Sequence, residues 1–223
     1  MRKDRRRRRI AVVVAAFPEL ARLLSEIGRD AYARGWALGT SGNLSAVSGL
    51  DPLRLAITPS GVDKGRLAPE QILEIDGDAR KVQGDGRPSD EAQIHLAVVR
   101  ARKAGAVLHT HSIWSTLLSE ACAHAGGIAI HGYEMLKGLE GIRTHDHREW
   151  LPIVENRQDW PAGAPSVRAA LDAHPDAHGL LLRGHGLYTW GRDLVQARRH
   201  LEVLEFLLEV VGRARAPGAS KEA

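Results

Sequence analysis

Apolar residues recur with helical spacing near both ends of the chain. Near the start they are three or four positions apart and predict a helix from Pro18 to Arg34, which Gly35 would end. Near the end, a longer apolar stripe from Leu194 to Val211 predicts the last helix, and Asp193 with Gln196 resembles an N-terminal cap. Both segments are amphipathic, so each is expected to pack one face onto a core.

Short apolar runs between these helices predict strands. They are bounded by clusters of glycine, proline or polar residues, and they cover residues 53–58, 71–75, 106–109, 151–154, 179–183 and 187–190. Helical patterns follow Asp90 and Ser112, and another runs from Val167 to Ala173. The alternation predicts a single α/β domain with helices on both faces of a sheet, and alternation alone favours a parallel sheet.

The net charge of +4 comes from one short segment. Residues 2–9 read RKDRRRRR, which leaves the rest of the chain with a net charge of −2. Like-charge blocks are usually solvated, so we expect a disordered tail over residues 1–16, one domain over 17–213 and a short tail over 214–223. A polyanion-binding arm and a signal peptide are the alternatives for the first segment. We predict no nucleic-acid partner and no membrane partner.

The composition is that of a globular protein. Apolar residues make up 43% and charged residues 26%, and no apolar run approaches the roughly 18 residues that span a bilayer. The single cysteine, Cys122, cannot form an internal disulfide, which fits a reducing compartment, and we expect a cytoplasmic protein. One cysteine also excludes zinc modules built from several cysteines.

Two histidine pairs could bind a metal ion. His109 and His111 follow an apolar strand, and strand alternation places both imidazoles on one face. A catalytic zinc site usually takes three protein ligands, and His185, between two glycines, is the best third candidate. His145 and His147 form the rival pair. On spacing alone, a hydrogen-bonded histidine couple without metal is the favoured explanation of either pair.

Two carboxylates could act as a base beside such an ion. A metal that polarises a carbonyl acidifies the neighbouring C–H bond, and a base must then accept the proton. Glu91 lies at the start of the helix before the His109 strand, and Glu134 lies in a stretch rich in glycine. Without other information, an ordinary solvated carboxylate is the favoured explanation of each.

Two loops have the composition of an anion site. Residues 40–43 and 59–61 combine glycines with hydroxyl side chains, and Ser89 stands where a helix begins. Tight turns without a ligand are the alternative. Neither GxxxxGK[ST] nor GxGxxG occurs, so nucleotide binding has no motif support.

Five motifs carry a resemblance to a known family. In chain order they are GTSGNLS, ITPSG, PSDEAQIH, AVLHTHS and LLLRGHGLYTWG. Together they resemble the class II aldolase and adducin-related superfamily across nearly the whole chain. The resemblance implies a three-layer α/β/α fold around a largely antiparallel sheet, which departs from the parallel sheet that alternation suggests. It also implies a homotetramer with active sites close to subunit boundaries.

A second group of segments narrows the resemblance. GYEMLKG at 132–138, THDHRE at 144–149 and LPIVEN at 151–156 are similar to the branch of the superfamily that dehydrates 5-methylthioribulose 1-phosphate in methionine salvage. This similarity implies a zinc-dependent lyase that acts on a sugar phosphate.

The resemblance also implies roles for individual residues. It assigns one zinc ion per subunit to His109, His111 and His185. Glu134 matches the acid/base glutamate of the dehydratases, and Glu91 matches the catalytic glutamate of the aldolases. The substrate phosphate would lie around Gly42, Asn43, Ser60, Gly61 and Ser89.

Two other functions remain open on these residues. The first is a zinc-dependent sugar-phosphate aldolase or epimerase of the same superfamily. The aldolases use a tyrosine from the C-terminal tail, and residues 211–223 contain none, which favours elimination of water over carbon–carbon cleavage. The second is a non-catalytic binding protein on the same fold.

Overall fold

The computed structural model describes residues 15–215, which contain five helices and nine strands. The helices are α1 (Phe17–Ala33), α2 (Ala92–Arg102), α3 (Ile113–Ala121), α4 (Trp160–Ala173) and α5 (Leu194–Arg215). The strands are β1 (Asn43–Leu50), β2 (Leu53–Ile57), β3 (Leu73–Asp76), β4 (Lys81–Gln83), β5 (Ala106–Thr110), β6 (Gly127–Ile130), β7 (Glu149–Val154), β8 (Gly179–Leu182) and β9 (Gly186–Gly191).

The nine strands form one sheet in the order β4-β3-β2-β1-β5-β9-β8-β7-β6. All neighbouring strands are antiparallel except β7 and β8. The expectation of a largely antiparallel sheet is therefore confirmed, and the parallel sheet favoured by alternation is wrong. Alternation predicts parallel pairing only when each helix returns the chain to the same end of the sheet. Here hairpins and long connections reverse the strand direction instead.

The sheet separates two apolar cores, as strand alternation requires. Leu108 of β5 packs into the core formed with α1, α3 and α5, whereas its neighbour Val107 packs into the core formed with α2 and α4. Helices therefore cover both faces, which confirms the predicted three-layer α/β/α architecture. The alternation also places His109 on the α2 side and Thr110 on the α5 side.

Several elements differ from the prediction. Sequence patterns miss β1, β4 and β6, and α4 begins at Trp160 rather than Val167. The polar residues Asn43 and Ser45 of β1 contact a buried histidine, so hydrophobicity does not reveal the strand. The run of β6 is only four residues long.

The predicted tails lie almost entirely outside the described residues. Residues 1–14 and 216–223 are not described, and α5 continues through Arg215, two residues into the predicted C-terminal tail. None of the helices within residues 15–215 is both long enough and apolar enough to span a bilayer.

Candidate active site

One end of the sheet collects the candidate residues. β1 and β9 begin at this end, whereas β2 and β5 finish there, because neighbouring strands in this part of the sheet are antiparallel. The loop before β1, the loop after β2 and the start of α2 therefore meet the residues that follow β5 and precede β9. The predicted anion loops and the predicted histidines come together by this topology.

The structure brings three imidazole rings to one point. The Nε2 atoms of His109 and His111 are 2.8 Å apart, and Nε2 of His185 is 3.0 Å from Nε2 of His111. His109 is fully buried, and the other two rings are mostly shielded. His185 can place its ring beside the other two because the flanking residues, Gly184 and Gly186, allow a sharp turn and a close approach to β5. A Cβ on Gly186 would collide with the carbonyl oxygen of Thr110.

Hydrogen bonds at the far side of two rings set their tautomers. Nδ1 of His109 donates to the carbonyl oxygen of Leu187 at 2.9 Å, and Nδ1 of His185 donates to Oδ1 of Asn156 at 3.1 Å. Nε2 of each neutral ring is then a lone-pair donor aimed at the cluster. The single hydrogen on His111 Nε2 can be donated to Nε2 of His109 or to Nε2 of His185, but not to both. At least one of these two lone pairs therefore receives no hydrogen bond from His111.

Glu91 completes the cluster with a carboxylate. Its Oε1 lies 3.1 Å from Nε2 of His185 and its Oε2 lies 3.6 Å from Nε2 of His109. One ligand atom from each of these four residues, His111 included, lies within 4.8 Å of the other three. Sequence reasoning assigned Glu91 a role in proton transfer but did not place its carboxylate among the possible ligands.

The pKa values of His109, His111 and Glu91 favour the ligand forms of these three groups. Burial, opposed by the negative charge of Glu91, lowers the pKa of His109 well below its usual range. Burial likewise lowers the pKa of His111 to about 4. Burial would raise the pKa of Glu91, but the adjacent His109 and His185 rings outweigh it and hold that pKa low. Neutral imidazoles and an ionised carboxylate are the forms that bind a cation, so the donor set fits a divalent metal.

Strand register builds a support behind the cluster. His109 pairs with Asn43 of β1 and with Tyr188 of β9, so the three side chains form one row on the α2 face. The Tyr188 ring stacks on His109 with centroids 3.8 Å apart. The Asn43 amide donates to Glu91. Sequence reasoning missed Tyr188, although it lies inside the LLLRGHGLYTWG motif.

A buried relay orients the Asn43 amide. Because the amide nitrogen donates to Glu91, the amide oxygen accepts from Nε2 of His95, and Nδ1 of His95 accepts from the Ser45 hydroxyl at 2.7 Å. Burial, opposed by Glu91, lowers the pKa of His95 to about 4, so the ring is neutral at neutral pH. Sequence reasoning treated His95 as an ordinary helix residue, but the relay connects it to the candidate metal cluster.

A cleft of about 220 Å³ opens beside the cluster. Residues 40–43, 59–61 and 89–91 line it together with His111, Gln158 and Trp160. Every residue predicted to bind phosphate therefore lies on its wall. Gly42 has a φ of 71°, and a Cβ there would lie 2.7 Å from the carbonyl oxygen of His109. This close approach joins the anion loop directly to the histidine strand.

Glu134 lies apart from this cleft. It begins a short 3₁₀ helix (Glu134–Gly138), and its side chain is 71% exposed. Its carboxylate accepts a hydrogen bond from Lys137 and lies 3.8 Å from Nδ1 of His145. The hydrogen bond from Lys137 lowers the pKa of Glu134. Within a single chain, the structure does not bring Glu134 to the three histidines.

The rival histidine pair does not join the metal cluster. His147 contacts the buried Glu149 through Nε2 at 2.9 Å, and Glu149 also accepts two hydrogen bonds from His178. His145 lies on the surface beside Glu134. Among residues 15–215, the only group of this kind that could hold a metal is the one formed by Glu91 and the three histidines.

Glu205 of α5 is a buried acid behind the histidine strand. The Thr110 hydroxyl, between the two strand histidines, donates to its Oε1, and its Oε2 has no hydrogen-bond partner within residues 15–215. Burial raises the pKa of Glu205 to about 7. A carboxyl within the long apolar stripe of α5 has no sequence signal that marks it as buried.

Glu205 should make the protein less stable as pH rises. Its folded pKa lies above its unfolded value, so its contribution is present below about pH 4.5 and is lost as pH rises through about 7. A pKa rise from 4.5 to about 7 corresponds to roughly 3–4 kcal/mol over the full pH range. We expect Glu205→Gln to remove this pH dependence of the free energy of unfolding, measured by urea denaturation at about pH 5 and about pH 8. Glu70→Gln, at an exposed site, should follow the parent, and an unchanged slope in Glu205→Gln would contradict the prediction.

Comparison with known sequences identifies the family. Residues 22–211 match the family described as Class II Aldolase and Adducin N-terminal domain. A methylthioribulose-1-phosphate dehydratase of Sorangium cellulosum is 42% identical over 197 residues, which cover 87% of this chain and 92% of the relative. A protein of the same name from Xanthomonas campestris pv. campestris strain 8004 is 44% identical over 195 residues, which cover 87% and 88%.

Solved structures agree with the sequence comparison. YgbL of Klebsiella pneumoniae, described as a putative aldolase/epimerase/decarboxylase, superposes with a TM-score of 0.76 at 25% identity and covers 91% of this chain and 93% of its own. The L-fuculose-1-phosphate aldolase of Thermus thermophilus superposes with a TM-score of 0.69 at 26% identity, covering 89% and 96%. The chain belongs to the class II aldolase and adducin family, within which it is similar over most of its length to methylthioribulose-1-phosphate dehydratases.

Proposed function

We propose that this protein is a hydro-lyase of methionine salvage that converts 5-methylthioribulose 1-phosphate to 5-methylthio-2,3-dioxopentyl phosphate. The observation that carries the proposal is the junction of a donor set that fits a divalent metal with a cleft lined by the two predicted anion loops. The dehydratases that are 42–44% identical to this chain support the choice of reaction and substrate.

The proposed cofactor is one zinc ion per subunit. His109, His111 and His185 would hold it, with the Glu91 carboxylate as a fourth donor within reach. Three imidazoles suit zinc, although they also suit other divalent transition metals. Bound there, the cation would act as a Lewis acid on the substrate's C2 carbonyl and so lower the pKa of the C3–H bond.

The chain's own residues would orient the substrate and move its protons. Gly42, Asn43, Ser60, Gly61 and Ser89 would hold the phosphate, which fixes C3 relative to the base. Glu134 would accept the C3 proton. The C4–O bond then breaks as an acid protonates the departing hydroxyl, so water leaves and a C3–C4 double bond forms. Ketonisation of this enol yields the 2,3-diketone.

Glu134 also supports a proposed homotetramer. Because its carboxylate is exposed and does not line the cleft of its own chain, it would have to reach a cleft across a subunit boundary. Asn43 and the relay through His95 would hold Glu91 in place beside the histidines. We further propose that the enzyme acts in the cytoplasm on this small-molecule substrate.

The direct test uses the purified, metal-replete protein and the methylthio pentulose phosphate. We expect the diketone phosphate to form with loss of one water. Mass spectrometry and the absorbance of the diketone would detect the product. Dihydroxyacetone phosphate as the product would instead identify a carbon–carbon lyase. Absence of any turnover with full metal content would favour the binding-protein alternative.

A further inference from the structure

None of the described residues gives the cleft a positively charged wall. Its lining includes the acidic residues Asp90 and Glu91, and within residues 15–215 no lysine or arginine lines it. A phosphate ester carries close to two negative charges at neutral pH, so neutral amides and hydroxyls alone would hold it against two nearby carboxylates. The proposed metal ion would balance the charge of the two carboxylates but not that of the phosphate dianion, so the charge balance of the proposed phosphate subsite requires a further cation.

Lys64 places a buried ammonium group directly behind the cleft. It begins a 3₁₀ helix (Lys64–Arg66) that follows the second anion loop, and the residue is only 1% exposed. Its Nζ donates to the carbonyl oxygen of Thr40 at 3.1 Å and to that of Val62 at 2.9 Å. Thr40 belongs to the first loop, and Val62 follows Gly61 of the second. A single ammonium group thus donates to one carbonyl of the first anion loop and to the carbonyl that directly follows the second.

The ammonium remains charged near neutral pH. Burial lowers the pKa of Lys64 to about 8, while the negative charges of Asp63 and Glu91 oppose this shift. Its charge also lowers the pKa of His111, so the ammonium is close enough to act on the candidate metal site. Burying a lysine side chain is costly, and two carbonyl contacts alone do not require a charged group.

We infer that Lys64 supplies the positive charge of the phosphate subsite, acting through the two loops that it joins and without touching the ligand. This inference rests on the proposed function, since it concerns a phosphate-bearing substrate. The ammonium draws the carbonyl oxygens of Thr40 and Val62 beneath the loops, away from the anion. In the low dielectric behind the cleft, its charge then attracts a dianion more than a monoanion. Lys64 is a positioning and electrostatic residue rather than a catalytic one.

The test compares two tetrahedral anions of different charge. Inorganic phosphate and hypophosphite would be titrated calorimetrically into the metal-loaded parent and into Lys64→Gln. We expect the variant to bind phosphate on the order of tenfold to a hundredfold more weakly, and hypophosphite to be weakened distinctly less. Lys103→Gln, at an exposed site beyond the far end of α2, should bind both anions like the parent. Bound metal should be unchanged in both variants.

Comparison of the two anions distinguishes an effect of the Lys64 charge from an effect of Lys64 on loop structure. If Lys64 only supports the loops, its replacement weakens both anions by the same factor, and that result overturns the inference. Unchanged phosphate affinity in a folded Lys64→Gln, or a parent that binds no phosphate, also overturns it. A parent whose phosphate affinity depends on Lys64 but that does not dehydrate the pentulose phosphate would instead contradict the proposed function alone.

A measurement on the parent covers the case in which Lys64→Gln does not fold. The groups whose charges act on the ammonium are the carboxylates of Asp63 and Glu91, and the nearby His111 ring, with a pKa of about 4, stays neutral between about pH 8 and about pH 10. Inorganic phosphate is a dianion above about pH 8, so its affinity should fall relative to hypophosphite affinity between about pH 8 and about pH 10, as Lys64 loses its proton. A constant ratio of the two affinities across this range would overturn the inference.

Discussion

Replacing His185 with alanine is expected to remove most of the bound divalent metal and, with it, the activity. Its Nε2 lies 3.0 Å from Nε2 of His111 and 3.1 Å from Oε1 of Glu91, so it holds one corner of the donor cluster. Changes to groups that merely orient a ligand already cost about tenfold to a hundredfold in metal affinity, and loss of a ligand should cost at least about a hundredfold. Metal content per subunit after dialysis, measured by plasma mass spectrometry, checks this.

Two further variants provide comparisons for the metal content of His185→Ala. His124→Ala removes an exposed imidazole outside the cluster and should keep full metal content. Asn156→Ala removes the acceptor for Nδ1 of His185 and should produce an intermediate loss of affinity. A His185→Ala protein with a full complement of tightly bound metal would contradict the three-histidine site.

Glu134→Gln is expected to lower kcat by about a hundredfold to ten thousandfold while metal content stays unchanged. The substitution keeps the shape of the side chain but removes its ability to accept the C3 proton. Glu209→Gln is the matched control, because Glu209 is also a solvent-accessible glutamate, with its side chain 43% exposed, that pairs with a basic side chain, Arg213, and lies outside the cleft. Near-normal turnover in Glu134→Gln would transfer the role of base to another group, with Glu91 the first candidate.

Mixed oligomers test whether Glu134 acts across a subunit boundary. Glu134→Gln and His185→Ala are each expected to be inactive, but for different reasons. If Glu134 of one subunit serves the metal site of its neighbour, refolding the two variants together should restore part of the activity. In such a mixture some sites combine an intact histidine cluster with an intact glutamate. No recovery in verified mixed oligomers would place Glu134 in the same chain as the site it serves, or outside the reaction.

Some features of this protein follow from local sequence. Helical periodicity alone predicts α1 and α5 nearly to their ends, because an amphipathic helix must repeat its apolar positions every three or four residues. Alternation in β5 predicts that His109 and His111 share a face. The glycines around His185 predict a sharp turn there. The order of five motifs carries the family resemblance, which the sequence and structure comparisons confirm.

Strand pairing was beyond what local sequence can specify. An antiparallel sheet places Asn43, His109 and Tyr188 in one row, although they come from three distant segments. The same pairing brings both anion loops to the histidines. Hydrophobic patterns report which face of an element is buried, but they do not report which elements become neighbours or in which direction they run.

Local patterns and motifs therefore determine most of the secondary-structure elements, the family and the types of residue available for chemistry. Three placements depend on the folded chain: Glu91 joins the three imidazoles, His95 orients Asn43, and Lys64 lies behind the anion loops. Buried polar residues must find hydrogen-bond partners, and in this protein those partners are brought together by folding from positions far apart in the chain. A single imidazole, carboxylate or ammonium has the same local signature on the surface as in a site, so its role emerges from its partners.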